Sequence, residues 1–311
     1  SSPCLLPADP ASPPLPVHPL RRPGIPPPSR ASSPADPAST PPPLLPADPA
    51  STPPSARLDG DVGAPFYGDA MTMWQAEPLP LFQTPEWARL IGVFDLETTG
   101  IDVENDRIVS AHVGVLDADG NVIDARDWLA APGVEIPAGA AAIHGISTER
   151  ARADGAPAPR VVAEVVEALD ALFAAGIPVV AYNAPFDFSM LKNEALRHGI
   201  APIHAPSPVI DPLVVDKTYD RYRRGKRTLS VVAEHYAVPL DAAHEACADA
   251  VAAGRLALAL AEKFGPWMPP TLDELHTRQV AWARAQAASL TEYFIKVGRL
   301  DATAPPLDGA W

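Results

Sequence analysis

The clearest hydrophobic pattern in the chain is a continuous apolar run that starts at Leu90 and ends in acidic residues and Gly100 (LIGVFDLETTG). A run without polar alternation is typical of a strand that is buried on both faces of a sheet. Two β-rich runs follow, RIVSAHVGVLD at 107–117 and NVIDARDWLA at 121–130, with a turn between them at 118–120. This pattern predicts an antiparallel hairpin beside the first strand.

Helical spacing replaces the strand pattern after the hairpin. Residues 160–175 (RVVAEVVEALDALFAA) place apolar side chains three and four positions apart, and Gly176 follows them. An apolar stripe at this spacing predicts an amphipathic helix, and glycine is the residue most often found just after a helix ends.

Short strands and helices then alternate as far as residue 265. The segments that predict them are a strand at 177–182, a helix from Asn183 to about Arg197, a strand at 209–213, a helix over 228–237 and a long helix over about 243–264. Hairpin strands followed by this alternation predict an α/β domain with a mixed sheet over 88–265. Thr271 with Glu274 forms a capping-box pattern, which predicts one more helix that ends near Gly298.

The first part of the chain has a different composition. Proline accounts for 40 of 311 residues and is concentrated there, where the hexapeptide PADPAS occurs three times, from Pro7, Pro34 and Pro46. Such a segment has too few apolar side chains to offset the entropy of ordering, so we expect a disordered tail over 1–70 and a linker over 71–87. The tail could serve as a spacer or as a ligand for a proline-binding groove, or it could have no role. A third alternative is a misassigned start, because Met71 and Met73 follow the tail.

The remaining division of the chain follows from these patterns. The α/β domain occupies 88–265, and a helical extension occupies 266–311. The chain has two cysteines and no apolar run of about 18 residues, so its sequence indicates neither a disulfide framework nor a thiolate zinc site, and no membrane segment. These features favour the cytoplasm.

Charge restricts how the protein can bind nucleic acid. The formal net charge is -14, which excludes binding through bulk positive charge, because phosphate binding depends on lysine and arginine. One basic segment with interleaved tyrosines stands out between Tyr219 and Arg227. Its candidates for contacts with a substrate strand are Arg223, Arg224 and Lys226, and the alternative is an ordinary solvated loop.

Asp95 and Glu97 are the first candidates for chemistry. Side chains two apart on a strand point to the same face, so both carboxylates lie together at the end of a buried strand. Two carboxylates in this position repel each other unless a cation neutralises them, and oxygen ligands are those that Mg²⁺ and Mn²⁺ prefer. The alternative is a pair of ordinary acidic residues at a strand end.

Three further candidates lie at predicted helix starts. Asp187 is expected in the first turn of the helix that Asn183 opens, where a carboxylate interacts favourably with the helix dipole. His244 and Asp249 are separated by about 140° on a helix, so they face one site only if His244 lies before the helix or in a frayed first turn. Asp249 is then expected in the second turn.

These residues belong to four short motifs, namely FDLETTG (94–100), IHGIS (143–147), YNAPFD (182–187) and HEACAD (244–249). In type and order the motifs resemble those of the DEDDh exonucleases, the family of the DNA polymerase III epsilon proofreading subunit, RNase T and oligoribonuclease. The resemblance covers about 88–265. It implies a ribonuclease-H-like fold, in which a mixed sheet is flanked by helices.

The resemblance also implies a role for each motif. Two divalent metal ions, Mg²⁺ or Mn²⁺, would be held roughly 3.5 to 4 Å apart around the scissile phosphate. The four carboxylates that would hold them are those of Asp95, Glu97, Asp187 and Asp249. His244 would take the proton from the attacking water, and the product would be a 5′-mononucleotide. Positions that contact the terminal nucleotide in the family are matched by Thr98, His144 and Phe186.

The function that the sequence favours is therefore a 3′-to-5′ exonuclease that trims single-stranded nucleic acid or a 3′ end. DNA is the favoured substrate; an exoribonuclease acting on small RNA and a non-catalytic protein that binds nucleic-acid ends are the alternatives. Beyond Gly265 the chain does not resemble the polymerase-binding extension of the proofreading subunit, which favours a stand-alone or accessory enzyme. Glu77–Phe82 (EPLPLF) weakly resembles a sliding-clamp-binding peptide, so polymerase or clamp contact is a further hypothesis. The oligomeric state stays open.

Overall fold

The computed structural model describes residues 85–240 and 245–301 of the chain. The predicted tail at 1–70, the segment Glu77–Phe82 and His244 lie outside the described residues, as does most of the predicted linker. Within the described ranges, every helix is too short or too polar to span a membrane.

Six strands form one sheet in the order β4-β3-β2-β1-β5-β6. They are β1 (Leu90–Thr98), β2 (Ile108–Asp117), β3 (Val122–Ala131), β4 (Ala156–Pro157), β5 (Val179–Val180) and β6 (Val209–Ile210). The pairs β1–β2 and β2–β3 are antiparallel, whereas β3–β4, β1–β5 and β5–β6 are parallel. The predicted hairpin beside the first strand is confirmed.

Eight α-helices flank this sheet in the described part of the chain. They are α1 (Ala138–His144), α2 (Thr148–Asp154), α3 (Ala158–Ala174), α4 (Ala184–Arg197), α5 (Pro212–Tyr219), α6 (Leu229–His235), α7 (Ala246–Phe264) and α8 (Leu272–Lys296). The predicted ribonuclease-H-like architecture, a mixed sheet flanked by helices, is confirmed. Half of the predicted capping box is present, because the Thr271 side chain accepts a hydrogen bond from the Glu274 N–H at 3.2 Å, while the Glu274 carboxylate pairs with Arg278 at 2.7 Å.

The two parallel strands β5 and β6 are shorter than the sequence predicts. β5 and β6 contain two residues each, in place of the runs predicted at 177–182 and 209–213. After β5 the chain leaves the sheet at Asn183, whose backbone is left-handed (φ 66°), and enters α4. After β6, Asp211 caps α5 and Pro212 occupies its first turn, so a helix lies where a strand end and a loop were expected. An acidic cap followed by proline is a common helix start, which the apolar run at 209–213 obscured.

β1 separates two hydrophobic layers. On one face Phe94 and Leu96 pack against α3 and α4, and on the other Ile91 and Val93 pack against α7 and α8. Because side chains alternate along a strand, Asp95 continues the row of Ile91 and Val93. The carboxylates of β1 therefore project from the face that α7 covers.

α7 approaches β1 closely at Gly254. A Cβ atom at this position would lie 2.5 Å from Val93 Cγ1 and 2.6 Å from Leu116 Cδ1, closer than a side chain permits. The absence of a side chain lets the helix lie directly against the sheet. This close packing brings the first turn of α7, which carries Asp249, towards the carboxyl end of β1.

Candidate active site

Three carboxylates meet at the carboxyl end of β1. Asp95 and Glu97 come from the strand and Asp249 from the first turn of α7, and one carboxylate oxygen from each lies within 4.8 Å of the others. All three side chains are partly exposed, so a ligand can reach them. Hard oxygen donors at this spacing are suited to a divalent cation such as Mg²⁺ or Mn²⁺.

Asp187 joins this cluster from the other side of the strand end. It lies in the first turn of α4, as predicted, and it is buried. Its Oδ1 accepts a hydrogen bond of 3.2 Å from the N–H of Leu96, the residue between the two carboxylates of β1. β5 pairs with β1 only as far as Val93, so Asp187 satisfies a backbone donor that the short parallel strand leaves unpaired. The structure therefore assembles all four predicted carboxylates around one strand end.

The position of α4 depends on a buried residue that sequence analysis did not single out. Asp211 accepts hydrogen bonds from the N–H groups of Asn183 at 3.1 Å and Ala184 at 3.0 Å, and one from Leu213 at 2.9 Å. One side chain thereby caps both α4 and α5. Burial raises the pKa of Asp211 to about 6, although these backbone hydrogen bonds oppose the rise.

The C-terminal helix holds Asp211 in turn. Gln279 of α8 is buried; its Oε1 accepts a hydrogen bond from the Asp211 N–H at 2.8 Å, and its Nε2 donates to the Val209 carbonyl at 3.1 Å. The amide of Gln279 thus pairs with β6 as a neighbouring strand would. These contacts connect the helical extension, through Asp211, to the helix that carries Asp187.

Burial and mutual repulsion raise the pKa values of the carboxyl groups. Burial raises the pKa of Asp95 well above its ordinary value, and repulsion adds to this effect, first from Asp187 and then from Asp249 and Glu97. Burial and the charge of Asp249 raise the pKa of Glu97 to about 8. Burial also raises the pKa of Asp187, partly opposed by the hydrogen bond from Leu96. Such a cluster gains free energy when a cation binds, which is the behaviour expected of a metal site.

These shifts predict that the metal-free protein loses stability as the pH rises from about 4.5 to about 8. In this window the folded cluster retains protons that ordinary carboxyl groups of the unfolded chain have released, so each step up in pH favours unfolding. Melting temperatures in EDTA should fall by several degrees across the window, and saturating Mg²⁺ should restore most of the loss at pH 8.

Glu97→Gln supplies the comparison for this experiment. The substitution removes a titrating group whose pKa of about 8 sets the upper end of the window, so it should flatten the pH dependence in EDTA. A melting temperature that rises with pH in EDTA, or one that Mg²⁺ leaves unchanged, would contradict the electrostatic account of this cluster.

The start of α7 differs in one respect from the prediction. Glu245 is the cap residue and Asp249 lies in the first turn, whereas the sequence analysis expected the second turn. The predicted helix start at about residue 243 was too early. His244 lies outside the described residues, and its assignment as a general base stays a prediction.

The residues predicted to contact a terminal nucleotide lie around the same strand end. The Thr98 hydroxyl donates a hydrogen bond of 2.6 Å to the Gly100 carbonyl. His144, at the end of α1, is buried; its Nδ1 accepts from the Ile146 N–H at 3.2 Å, and burial lowers its pKa while contact with the Thr98 backbone opposes this change. Phe186 packs at the edge of the hydrophobic layer between the sheet and α4.

The basic segment between Tyr219 and Arg227 is divided between two environments. Asp216 is fully buried, and its carboxylate accepts hydrogen bonds from Arg223 at 2.7 Å, from Arg227, and from the Tyr236 hydroxyl at 2.9 Å. Arg223 also pairs with Asp220 at 3.3 Å. Arg224 and Lys226 are exposed. Arg223 is therefore part of an internal ion-pair network, and only the other two predicted contact residues present their charge to solvent.

A second group of side chains whose atoms could ligate a metal ion lies on the same face of the sheet. The donor atoms of His112, Asp127 and Cys247 lie within 4.8 Å of one another, and His112 Nδ1 is 2.8 Å from Asp127 Oδ1. Sequence analysis did not connect these residues, because His112 and Asp127 come from the hairpin and Cys247 from α7. Only the fold brings them together.

Comparison with protein families gives one match that includes the site. A family model described as an exonuclease matches residues 93–257, more than half of the chain. The match begins within β1 and ends within α7, so it contains all four carboxylates of the cluster.

Two curated relatives carry names of polymerase proteins. One is "DNA polymerase III PolC-type" of Lacticaseibacillus paracasei, which is 30% identical over 197 residues that make up 63% of this chain and 13% of that protein. The other is "DNA polymerase III subunit epsilon-like protein" of Rhodobacter capsulatus, which is 33% identical over 184 residues, 58% of this chain and 25% of that protein. The chain thus spans only a small part of the length of these relatives.

Among solved structures, exonuclease I of E. coli in complex with a dA16 oligonucleotide is 21% identical with a TM-score of 0.49, and the similarity covers 63% of this chain and 43% of that one. A 3′-exonuclease that recognises the histone mRNA stem-loop is 13% identical with a TM-score of 0.49, covering 58% of this chain and 66% of that one.

Proposed function

Because the chain belongs to the DEDD-type family of 3′-to-5′ exonucleases, we propose that it removes nucleotides from the 3′ end of DNA by metal-dependent hydrolysis. The observation that carries this proposal is the meeting of four carboxylates at the end of β1, within the segment that matches the family. DNA is favoured over RNA because the curated relatives are named as DNA polymerase III proteins.

The chemistry of the donor set fits divalent cations. Asp95, Glu97 and Asp249 offer hard oxygen donors close together, and their mutual repulsion is relieved by positive charge. Asp187 supplies a fourth carboxylate beside them. Two ions, Mg²⁺ or Mn²⁺, would be held by these four residues, and when bound they supply Lewis acidity and positive charge around the scissile phosphate.

The chain's own residues position the substrate and move the proton. His144 lies against the Thr98 backbone near the carboxylates, where both residues can contact the terminal nucleotide. Phe186, in the first turn of α4, precedes Asp187 directly and completes this set. His244 takes the proton of the attacking water as a general base, and the released product is a 5′-mononucleotide. Asp187 keeps its orientation through the hydrogen bond from Leu96, which fixes it relative to the β1 carboxylates.

Arg224 and Lys226 are the residues of the basic segment that suit contacts with phosphates of the strand. Their side chains are exposed, whereas Arg223 is held by Asp216 and Asp220. Arg223 instead keeps the segment folded, because it neutralises a buried carboxylate.

We assign the exonuclease domain to 88–265 and the helical extension to 266–311. The family match lies within the first range, and α8 of the second packs on it through Leu275 and Gln279.

The proposal is tested by digestion of matched single-stranded DNA, duplex DNA and RNA by the purified full chain, with Mg²⁺ or Mn²⁺ and with EDTA. We expect 5′-mononucleotides from the 3′ end of DNA, no products in EDTA, and slower cleavage of RNA. Faster cleavage of RNA than of DNA would show that RNA is the preferred substrate. Binding without cleavage of any substrate would favour a non-catalytic protein that binds nucleic-acid ends.

A further inference from the structure

A groove of about 800 Å³ lies between α5 and α8. Its walls are aliphatic and aromatic side chains from the two helices, namely Leu213, Val214, Trp282, Leu290 and Tyr293. Its lining also includes Asn183 and Pro185, which begin the helix that carries Asp187. The groove therefore adjoins the same helix terminus that contributes to the carboxylate cluster.

Two cationic side chains line the groove. Lys217 lies in the last turn of α5, and Arg221 follows the end of this helix. The salt bridges among the described residues engage Arg223 and Arg227 of this region but neither of these two. Burial lowers the pKa of Lys217, and the carboxylates of Asp216 and of Asp211, which also lines the groove, partly oppose this change. A bound phosphate would stabilise the ammonium group further. Aromatic surface next to cations is the combination that holds single-stranded nucleic acid, because bases stack and phosphates pair.

We propose that this groove binds the substrate strand upstream of its terminal nucleotide, with bases against Trp282 and Tyr293 and backbone phosphates at Lys217 and Arg221. The inference rests on the proposed function and adds a second strand-binding surface to it. A volume of about 800 Å³ is large enough for one or two nucleotides.

The lining of the groove favours a nucleic-acid strand over a second copy of this chain. It places two cations beside aromatic rings, which matches the phosphates and bases of a strand, whereas a second copy is acidic overall and has no bases to stack. The wall formed by α8 also lies beyond the residues that match the family, 93–257. The helical extension thus supplies a strand contact of this chain's own.

The test compares substrates that do and do not reach the groove. Binding of a 5′-fluorescein-labelled thymidine dinucleotide and of a labelled 12-nucleotide oligothymidylate is measured by anisotropy in EDTA, and cleavage of both is measured with Mg²⁺. Lys217→Ala with Arg221→Ala should weaken binding of the 12-mer about tenfold and reduce its salt dependence by about 1.4 units of log–log slope, as expected for two lost contacts with a single strand. Binding and turnover of the dinucleotide should not change.

Two further variants keep the result interpretable. Lys192→Ala with Arg284→Ala removes the same two charges from exposed positions outside the groove and should leave both substrates unaffected. Tyr293→Ala removes a half-exposed ring and should weaken binding of the 12-mer by at least about fivefold.

The possible outcomes separate the groove from the proposed function. An unchanged 12-mer affinity in both groove variants, or an equal loss for the 12-mer and the dinucleotide, overturns the groove assignment. A wild-type chain that binds the 12-mer through the groove but cleaves neither substrate overturns the proposed function and leaves the groove in place.

Discussion

Asp95→Ala is expected to abolish cleavage and leave the fold intact. Asp95 belongs to the carboxylate cluster, and its pKa is raised by burial and then by the charges of Asp187, Asp249 and Glu97. Loss of a residue that merely orients a metal ligand typically costs 10- to 100-fold in activity, so loss of the ligand itself should lower single-turnover cleavage by at least about 10³-fold. The metal-free variant should also melt at an equal or higher temperature than the wild type, because one source of repulsion is gone.

Asp124→Ala is the matched control for this variant. Asp124 is an exposed aspartate of β3, outside the carboxylate cluster, so its loss should change neither cleavage nor metal-dependent stability. Full activity of Asp95→Ala, or full wild-type activity in excess EDTA, would refute the metal-ion assignment. A large fall in the melting temperature of Asp95→Ala in EDTA would instead indicate a structural role.

His244→Ala is expected to lower turnover by about 10² to 10⁴, as removal of a general base usually does. A base works only when it is deprotonated, and the ordinary pKa of histidine is about 6.5. Wild-type turnover at saturating metal should therefore rise with pH through an apparent pKa that belongs jointly to the histidine and the attacking water. Binding of metal and substrate should be largely kept, because the four carboxylates and the strand contacts remain.

Single-turnover cleavage and thermal melting on the same His244→Ala protein separate the two roles that a histidine near a helix start can have. A structural histidine predicts near-normal turnover with a lowered melting temperature, which is the opposite of the expected result. His204→Ala replaces an exposed histidine of the described chain and controls for the loss of an imidazole alone.

Strongly periodic segments could be predicted from the sequence. β1 follows from its continuous apolar run, and α3 and α4 follow from helical spacing. The polar residues within β1 and α4, namely Asp95, Glu97 and Asp187, were placed with these elements. The two-residue strands β5 and β6 were overestimated, because an apolar run does not reveal where the chain leaves the sheet.

Contacts between segments that are far apart in the sequence could not be predicted. The sequence around Asp211 indicates only an aspartate at a strand end. In the structure Asp211 caps two helices and is held by Gln279, which lies in another part of the chain. Arg223 reads as a surface cation, but the buried Asp216 binds it internally. α1 was not predicted, because its alanine-rich sequence shows no periodic pattern of polar and apolar positions.

Gln279 pairs with β6, so a shortened protein that lacks α8 would expose this strand. β6 is an edge strand, and its backbone groups at Val209 are covered by Gln279 and His276 of α8. At the opposite edge, β4 is two residues long and ends in Pro157, which has no N–H to offer another strand. A fragment trimmed to the family-matched residues would uncover the β6 edge and invite strand pairing between molecules, so it should aggregate at concentrations where the full chain stays dispersed.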